Sequence, residues 1–323
     1  MANPWDIYDF LIDHVSAQDQ VQDVQIGLTW TLCRSGSKNN DDHYGLAMSP
    51  AGQSRVLPWP GTLSGRDVKQ VAAWLKNWNP HEATVAMAAI NSVINANTPI
   101  LENATQISPN ERGNLAVFDY FLPRLHNKKV VVIGRYPGLE QYAESLNLTI
   151  LERNPAGSDL PDQACEYLLP EADWVFITAS SLTNKTFPRL AELSKNAVTV
   201  LMGPTVPWVE EFVEYGIDFL AGVRIADPDQ LVPTIAEGGG TRIFDNAVQY
   251  CVADLSQKEM HGLKDGIADL VAQREKLKHE MQHWYNNSGT GRFPKWRELE
   301  RVDQDLSLLD IQFKRQWDAR LQQ

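Results

Sequence analysis

Residues 128–138 read KKVVVIGRYPG. Four β-branched apolar residues, Val130 to Ile133, run without alternation and stop at Gly134. A strand that is apolar on both faces must be covered on both, which is the condition of a strand inside a parallel sheet flanked by helices. Working outward, the same pattern recurs in LTILERNP (148–155), ADWVFITASSLTN (172–184), AVTVLMGPTVP (197–207) and IDFLAGVRIAD (217–227). Amphipathic stretches lie between them: GLEQYAESL (138–146), TFPRLAELS (186–194) and WVEEFVEYG (208–216). Buried strands alternating with helices predict an α/β fold with a doubly wound parallel sheet over residues 106–252.

The flanks follow other rhythms. PWDIYDFLIDHV (4–15) has helical spacing, and VQDVQIGLTWTLCRS (21–35) has strand chemistry. DDHYGLAMS (41–49) and SRVLPWPG (54–61) read as two further short strands. Two helices are expected next, LSGRDVKQVAAWLKNW (63–78) with Ser64 as N-cap, and PHEATVAMAAINSVINAN (80–97). Residues 1–105 thus form an α+β domain. Beyond 252, Met260, Leu263, Ile267, Leu270, Leu277, Met281 and Trp284 keep a three–four spacing that only Arg274 interrupts. Leu299, Val302, Leu306, Leu309 and Phe313 repeat it after a polar loop. Such a seam predicts an antiparallel helical hairpin over 253–323. Trp284, Phe313 and Trp317 would be costly to leave in water, so the hairpin is expected to form a homodimer.

Within the 323 residues, 41 acidic against 29 basic side chains give a net charge of −12. That balance argues against nucleic acid as a partner. No apolar run approaches the ~20 residues that span a bilayer, so no membrane role is expected. Cys33, Cys165 and Cys251 are odd in number and scattered, which suits a reducing cytoplasmic location.

Residues 279–283 spell HEMQH, the zinc-peptidase pattern H-E-x-x-H. On the hairpin seam, however, Leu277 and Met281 face the partner helix, which leaves His279 and His283 toward water. No third ligand follows at the spacing a peptidase uses. A non-catalytic metal site at His279 and His283 is the remaining alternative to a solvated face.

In doubly wound sheets ligands bind where the strands end and the helices begin. Gly134-Arg135-Tyr136-Pro137-Gly138 is not G-x-G-x-x-G, so NAD is not favoured. Glu152 ends the second strand, where an acidic residue can bind a ribose or cap a helix. Thr178, Ser180 and Asn184 belong to a hydroxyl-rich loop that offers donors to a ligand. Gly203, Pro204 and Thr205 let backbone approach closely, and Glu237 opens a run of three glycines, 238–240. Four such loops in one sheet favour a ligand crevice.

The combination GTLSG…AAINSVINA, VVVIGRYPG, LERNP, LLPEADWVFITASSLTNKT, LMGPTVP and LAGVRIAD…EGGGT resembles the heavy-metal chelation family over about residues 5–250. The resemblance implies an enolase amino-terminal-like domain joined to a Rossmann-like domain, with a ligand site between them. By matching motifs it implies that Ser64 and Asn91 come from the first domain. From the second it implies Gly134, Glu152, Thr178, Asn184, Gly203, Pro204 and Glu237. This chain has TASS where the family often has a glycine after the threonine. The turn RFPKWRELERV resembles Rop-like hairpins associated with nitrogen fixation, which would fit iron or molybdenum handling.

The expected function is therefore a small-molecule or metal-chelate binding protein, with its site in the interdomain cleft. Glu152, Glu237 and His43 are the candidate metal donors, and the metal's identity is left open. One alternative is an enzyme with a nucleotide-type cofactor, of methyltransferase or dehydrogenase kind. The other is a scaffold that acts through the hairpin.

Overall fold

A computed structural model describes residues 3–15, 18–36, 42–52, 56–96, 98–287 and 289–318. The chain divides into two compact units, residues 1–254 and 255–323.

The larger unit opens with α1 (Asp6–Asp13), followed by an antiparallel sheet in the order β1 (Gln20–Ile26), β2 (Trp30–Gly36), β3 (His43–Met48). The third strand expected at 54–61 does not form in its described part, 56–61. Pro58 and Pro60 each lack the N–H a ladder needs. The helix expected over 63–78 is shorter, α2 (Val68–Ala72) continued by a 3₁₀ turn to Lys76. Its N-cap is Asp67, while Ser64 lies upstream in an exposed turn. α3 (Pro80–Ile94) is capped by Asn79, whose side chain accepts the His81 amide, and Pro80 fills the first helical position. It is apolar nearly all round because it lies between the small sheet and the rest of the unit. The contact with β3 is so close that a Cβ at Gly45 would collide with the backbone of Ala88 and Ser92.

After α4 (Pro99–Glu102), the second sheet is built from β4 (Thr105–Gln106), β5 (Lys129–Ile133), β6 (Asn147–Glu152), β7 (Leu160–Pro161), β8 (Trp174–Thr178), β9 (Val198–Met202), β10 (Phe219–Ile225) and β11 (Val248–Asp254). Its order is β4-β11-β10-β9-β8-β5-β6-β7. All neighbours from β10 through to β7 pair in parallel, whereas β10–β11 and β11–β4 are antiparallel. The five expected strands are thus β5, β6, β8, β9 and β10, and three more extend the edges. β11 also takes in residues 253 and 254, expected to open the hairpin.

α5 (Ala116–Leu125) packs Phe118 and Phe121 on one face, where their rings lie 5.2 Å from Phe176 and 5.1 Å from Phe219. α6 (Cys165–Leu168), α7 (Ser180–Thr183), α8 (Phe187–Leu193), α9 (Pro228–Ala236) and α10 (Ile243–Asn246) occupy the later crossovers. Two expected helices, 138–146 and 208–216, are reduced to 3₁₀ turns at Leu139–Tyr142 and Glu210–Tyr215. A left-handed glycine bounds each turn, Gly138 before the first and Gly216 after the second.

The two sheets of this unit are stitched together by polar side chains. Asn91 Nδ2 donates to the carbonyls of Leu46 (2.8 Å) and Thr205 (2.9 Å). Asn95 donates to the Val206 carbonyl (3.0 Å) and accepts the Trp208 amide (2.9 Å). Thr205 Oγ1 accepts the Met48 amide at 2.9 Å.

The smaller unit is a helical pair, α11 (Gln257–Asn286) and α12 (Trp296–Asp318). Leu277, Leu299 and Val302 are buried together, with Leu270 and Met281 packed on them. The pairing is antiparallel: Lys295 meets Glu280 at 2.7 Å, and Lys264 lies 5.7 Å from both Phe313 and Trp317 rings. Among the described residues no helix is long and apolar enough to cross a membrane.

Candidate functional site

The sheet order places a switch point between β5 and β8. From β5 the chain moves to β6 on one side, then returns to β8 on the other, so the two connections diverge above these strand ends. Gly134 ends β5 with φ 94°, and a side chain there would press on the Thr178 methyl group at the end of β8. Gly203 ends β9 with φ 108°, and a Cβ there would lie 3.6 Å from Tyr136 Oη. Glycine at both places keeps the strand ends low and the backbone approachable.

Tyr136 and Tyr250 carry the most informative polar atoms near these strand ends. Both hydroxyls are buried and have no hydrogen-bond partner among the described residues. Thr178 is close enough to influence Tyr136. That contact acts as a hydrogen bond in stabilising the phenolate, yet its geometry falls short of a full bond, and Thr178 Oγ1 also pairs with Ser180 Oγ at 3.0 Å. Burial pushes the Tyr136 phenol up to about 12. Burial likewise holds Tyr250 well above the ordinary tyrosine range, and Tyr136 adds to that shift. Both phenols are therefore neutral donors near neutral pH. An orphaned buried hydroxyl costs about 1–3 kcal/mol, so two within electrostatic reach of each other mark a place where a ligand can supply the missing acceptors. The rings are held by neighbours: Tyr136 against Phe118 (5.5 Å), and Tyr250 stacked on Phe244 (5.1 Å, 6°). Phe244 in turn meets Trp30 of the small sheet, whose Nε1 donates to the Gly240 carbonyl at 2.9 Å.

The expected residues divide into groups. Gly134, Thr178, Ser180 and Gly203 converge at the switch point, and Glu152 is near enough to act on Tyr136. The Glu152 carboxylate is already engaged by the amides of Arg135 (2.9 Å), Arg153 (2.8 Å) and Asn154 (3.4 Å). Asn184 uses Oδ1 to bind the Thr186 amide (3.1 Å) and hydroxyl (2.6 Å). Asn91 and Thr205 are spent in the stitching between sheets, although Asn91 Oδ1 is buried without a partner among the described residues. Pro204 and His43 line a different cavity of ≈ 320 Å³, together with Asp42, Glu102 and Arg224. Ser64 is exposed in its turn, and Glu237 is exposed at the end of α9. On the helical pair His279 and His283 are exposed, His283 lies 2.9 Å from Asn287, and Glu280 is tied to Lys295. Lys295 holds the Glu280 carboxyl below its ordinary range.

Two residues of the crevice escaped the sequence reading. Tyr136 stands in the quoted loop but was weighed only as a departure from the glycine fingerprint. Tyr250 interrupts the apolar strand VQYCVAD, a polar atom at a core position, and that was the available signal.

Among the described residues no three His, Cys, Asp or Glu side chains are grouped so as to hold a metal ion. Glu152, Glu237 and His43 therefore do not form one ligand set. The switch-point region instead carries hydroxyls and aromatic rings, a set that suits the organic shell of a complex better than a bare cation.

The comparisons agree with this architecture. Residues 8–94 match the family DUF4213 and residues 116–254 the family DUF364, both described as "Putative heavy-metal chelation". A DUF364 protein of unknown function from Desulfitobacterium hafniense is 31% identical, with a TM-score of 0.66 over 78% of this chain and 98% of that one. A second, from Pyrococcus horikoshii, has a TM-score of 0.63 at 20% identity, over 77% of this chain and 98% of that one, which supports the fold. An uncharacterised protein of Methanocaldococcus jannaschii is 29% identical over 175 residues, which span 51% of this chain and 63% of the relative's own length. With both family segments present in order and the Desulfitobacterium protein matched along nearly its whole length, this chain belongs to the DUF364 family.

Proposed function

We propose that the protein binds a small metal chelate, an ion already wrapped in organic donors, in the crevice above β5, β8 and β9. The observation that carries this reading is the pair of buried, unpartnered hydroxyls of Tyr136 and Tyr250. A chelate presents carboxylate or phenolate oxygens outward, and these would accept from the two phenols. The Phe118, Tyr250 and Phe244 rings would cover its apolar parts. The family description and the lack of a three-ligand cluster among the described residues fit together on this reading, because the chelator supplies the inner ligands. Iron and molybdenum complexes remain the proposed cargo class. Self-association through the helical pair is a separate proposal. Its support is the outward Leu308, Ile311 and Trp317, which are 60%, 65% and 43% exposed.

The test is calorimetry with iron(III) citrate and a molybdenum–catecholate complex, beside the free metal salts and NAD. The chelates are expected to bind and the free salts are not. Tyr136→Phe combined with Tyr250→Phe should weaken binding about tenfold, each lost hydrogen bond accounting for roughly 0.5–1.5 kcal/mol. The double variant should melt no lower than the parent, since neither hydroxyl has a full hydrogen-bond partner among the described residues. Unchanged affinity in the double variant, or binding of NAD instead of the chelates, defeats the proposal.

A further inference from the structure

The cavity of ≈ 320 Å³ that Pro204 and His43 line takes no part in the reading above. Residues of both sheets of the larger unit enclose it: the start of β3, the carboxyl end of α3, α4 and the end of β10. Its size is that of a small-metabolite pocket, at the lower end of the roughly 300–1,000 Å³ usual for ligand sites. Much of the lining is apolar, from Leu46, Leu101, Val223 and Ile225. Into the same lining β10 brings one guanidinium, that of Arg224.

Arg224 is half-buried, and its charge is left uncompensated. Nη2 donates to the Leu101 carbonyl at 2.6 Å, whereas Nε is buried without a full hydrogen-bond partner among the described residues. No carboxylate lies within ion-pair distance of the guanidinium among the described residues. Two acidic side chains share the lining, but Asp42 is paired with Arg34 at 3.3 Å and Glu102 is exposed to water. The Cys251 thiol is within reach of the guanidinium, yet burial keeps it above its ordinary range, so it stays neutral near neutral pH. The carboxyl end of α3 and the amino end of α9 reach the lining at Asn95 and Pro228, so the helix dipoles there oppose each other. Arg224 therefore sets the sign of the ligand. A guanidinium has five N–H donors in a planar fork, and a cation partly withdrawn from water is costly until an anion meets it.

We infer that this cavity binds a small organic monocarboxylate, with its carboxylate on the Arg224 guanidinium and its apolar body against Leu46, Val223 and Ile225. The two carboxylate oxygens match the guanidinium fork, and the pair gains from being half-shielded from water. Inorganic phosphate carries more charge and has no apolar part, so one guanidinium among apolar side chains suits it less well. This ligand is distinct from the chelate proposed for the crevice above β5, and the inference does not rest on that reading.

The full chain would be titrated with 4-fluorobenzoate, followed by its fluorine NMR signal, beside uncharged 4-fluorobenzamide and with inorganic phosphate as competitor. The benzoate should bind with a Kd of about 1 mM or tighter, and the benzamide about tenfold more weakly or not at all. Phosphate at equal concentration should not displace the benzoate. Arg224→Lys keeps the charge and loses the fork, and should weaken binding about tenfold. Ala96→Phe places a ring in the lining and should abolish binding by filling the cavity. Because Arg224 also holds the Leu101 carbonyl, melting curves of both variants are recorded. If Arg224→Lys melts lower, Ala96→Phe and the benzoate–benzamide comparison in the parent decide. Absence of benzoate binding, equal binding of the benzamide, or displacement by phosphate overturns the proposal. So does benzoate binding that survives unchanged in Arg224→Lys or in Ala96→Phe, since the ligand would then sit elsewhere.

Discussion

Two short stretches of this chain are rich in groups that do chemistry, and they behave in opposite ways. HEMQH at 279–283 matches a catalytic pattern letter for letter, yet both histidines are exposed and Glu280 is held by Lys295. TASSLTNK at 178–185 matches no pattern, yet it begins at a switch point, beside two orphaned phenols, and ends on a strained lysine. A motif is a statement about spacing along one element. A site is a convergence of several elements, and a parallel sheet delivers that at its strand ends whereas a two-helix seam faces its groups outward.

Substitutions can break this contrast or sharpen it, and the largest effects are expected where backbones touch. Gly45→Val would drive a side chain into the α3 backbone at Ala88 and Ser92, which cannot move aside as a side chain can. A loss of about 3 kcal/mol or more in the larger unit is expected, measured by denaturant unfolding, with chelate binding lost alongside. A stable, binding-competent Gly45→Val protein would mean that the small sheet does not help to position the crevice. Next in size, Leu277→Ala removes the centre of the seam formed with Leu299 and Val302 and should destabilise the helical pair by roughly 2–4 kcal/mol. Chelate affinity should not change, and a coupled loss would show that the two units share a function.

A smaller effect separates Lys185 from its neighbours by pH. Its folded value is lowered from 10.5 to about 8, so between those limits the unfolded chain holds a proton that the folded chain has released. The parent should therefore gain stability relative to Lys185→Met as pH rises through that window, with the deficit complete below about 8. Thermal melts of both proteins at pH 7 and pH 10 read this directly, and a constant difference would mean that the amine titrates normally. Smallest of all, His279→Ala with His283→Ala should change stability by no more than about 0.5 kcal/mol. Zinc-dependent cleavage of casein that disappears in Glu280→Gln would reverse the reading of that stretch. Sedimentation at micromolar concentration checks self-association in the same preparation, and a monomer would remove the proposed role for Leu308, Ile311 and Trp317.

Much of the fold was legible because the strongest signals are periodic. The uninterrupted apolar runs at 130–133, 174–177 and 200–202 can only be strands buried on both faces, and the three–four spacing after 260 can only be a helical seam. Where the reading failed, the signals were short. Residues 138–146 and 208–216 have helical spacing, but only Leu139–Tyr142 and Glu210–Tyr215 turn, as short 3₁₀ helices. Ser64 has the right chemistry for an N-cap but stands too far upstream, because the helix starts only where Asp67 and Val68 meet β1. Glu152 and Asn184 are bonded to their own loops as well, contacts that motif spacing does not reveal, so replacing either would loosen the loop it supports.

By itself, then, the sequence determined the classes of structure and their order: a small sheet with α3, a parallel sheet, a helical pair. These follow from burial patterns that are local and repeat every two or 3.6 residues. Only the tertiary structure decided which polar atoms are left unsatisfied. Tyr136 follows β5 and Tyr250 lies on β11, elements far apart in sequence, and they come within electrostatic reach only because the chain winds outward from β5 in both directions and returns antiparallel at its edge. The orphaned state of their hydroxyls depends on every neighbour that fails to reach them, and no local pattern encodes that.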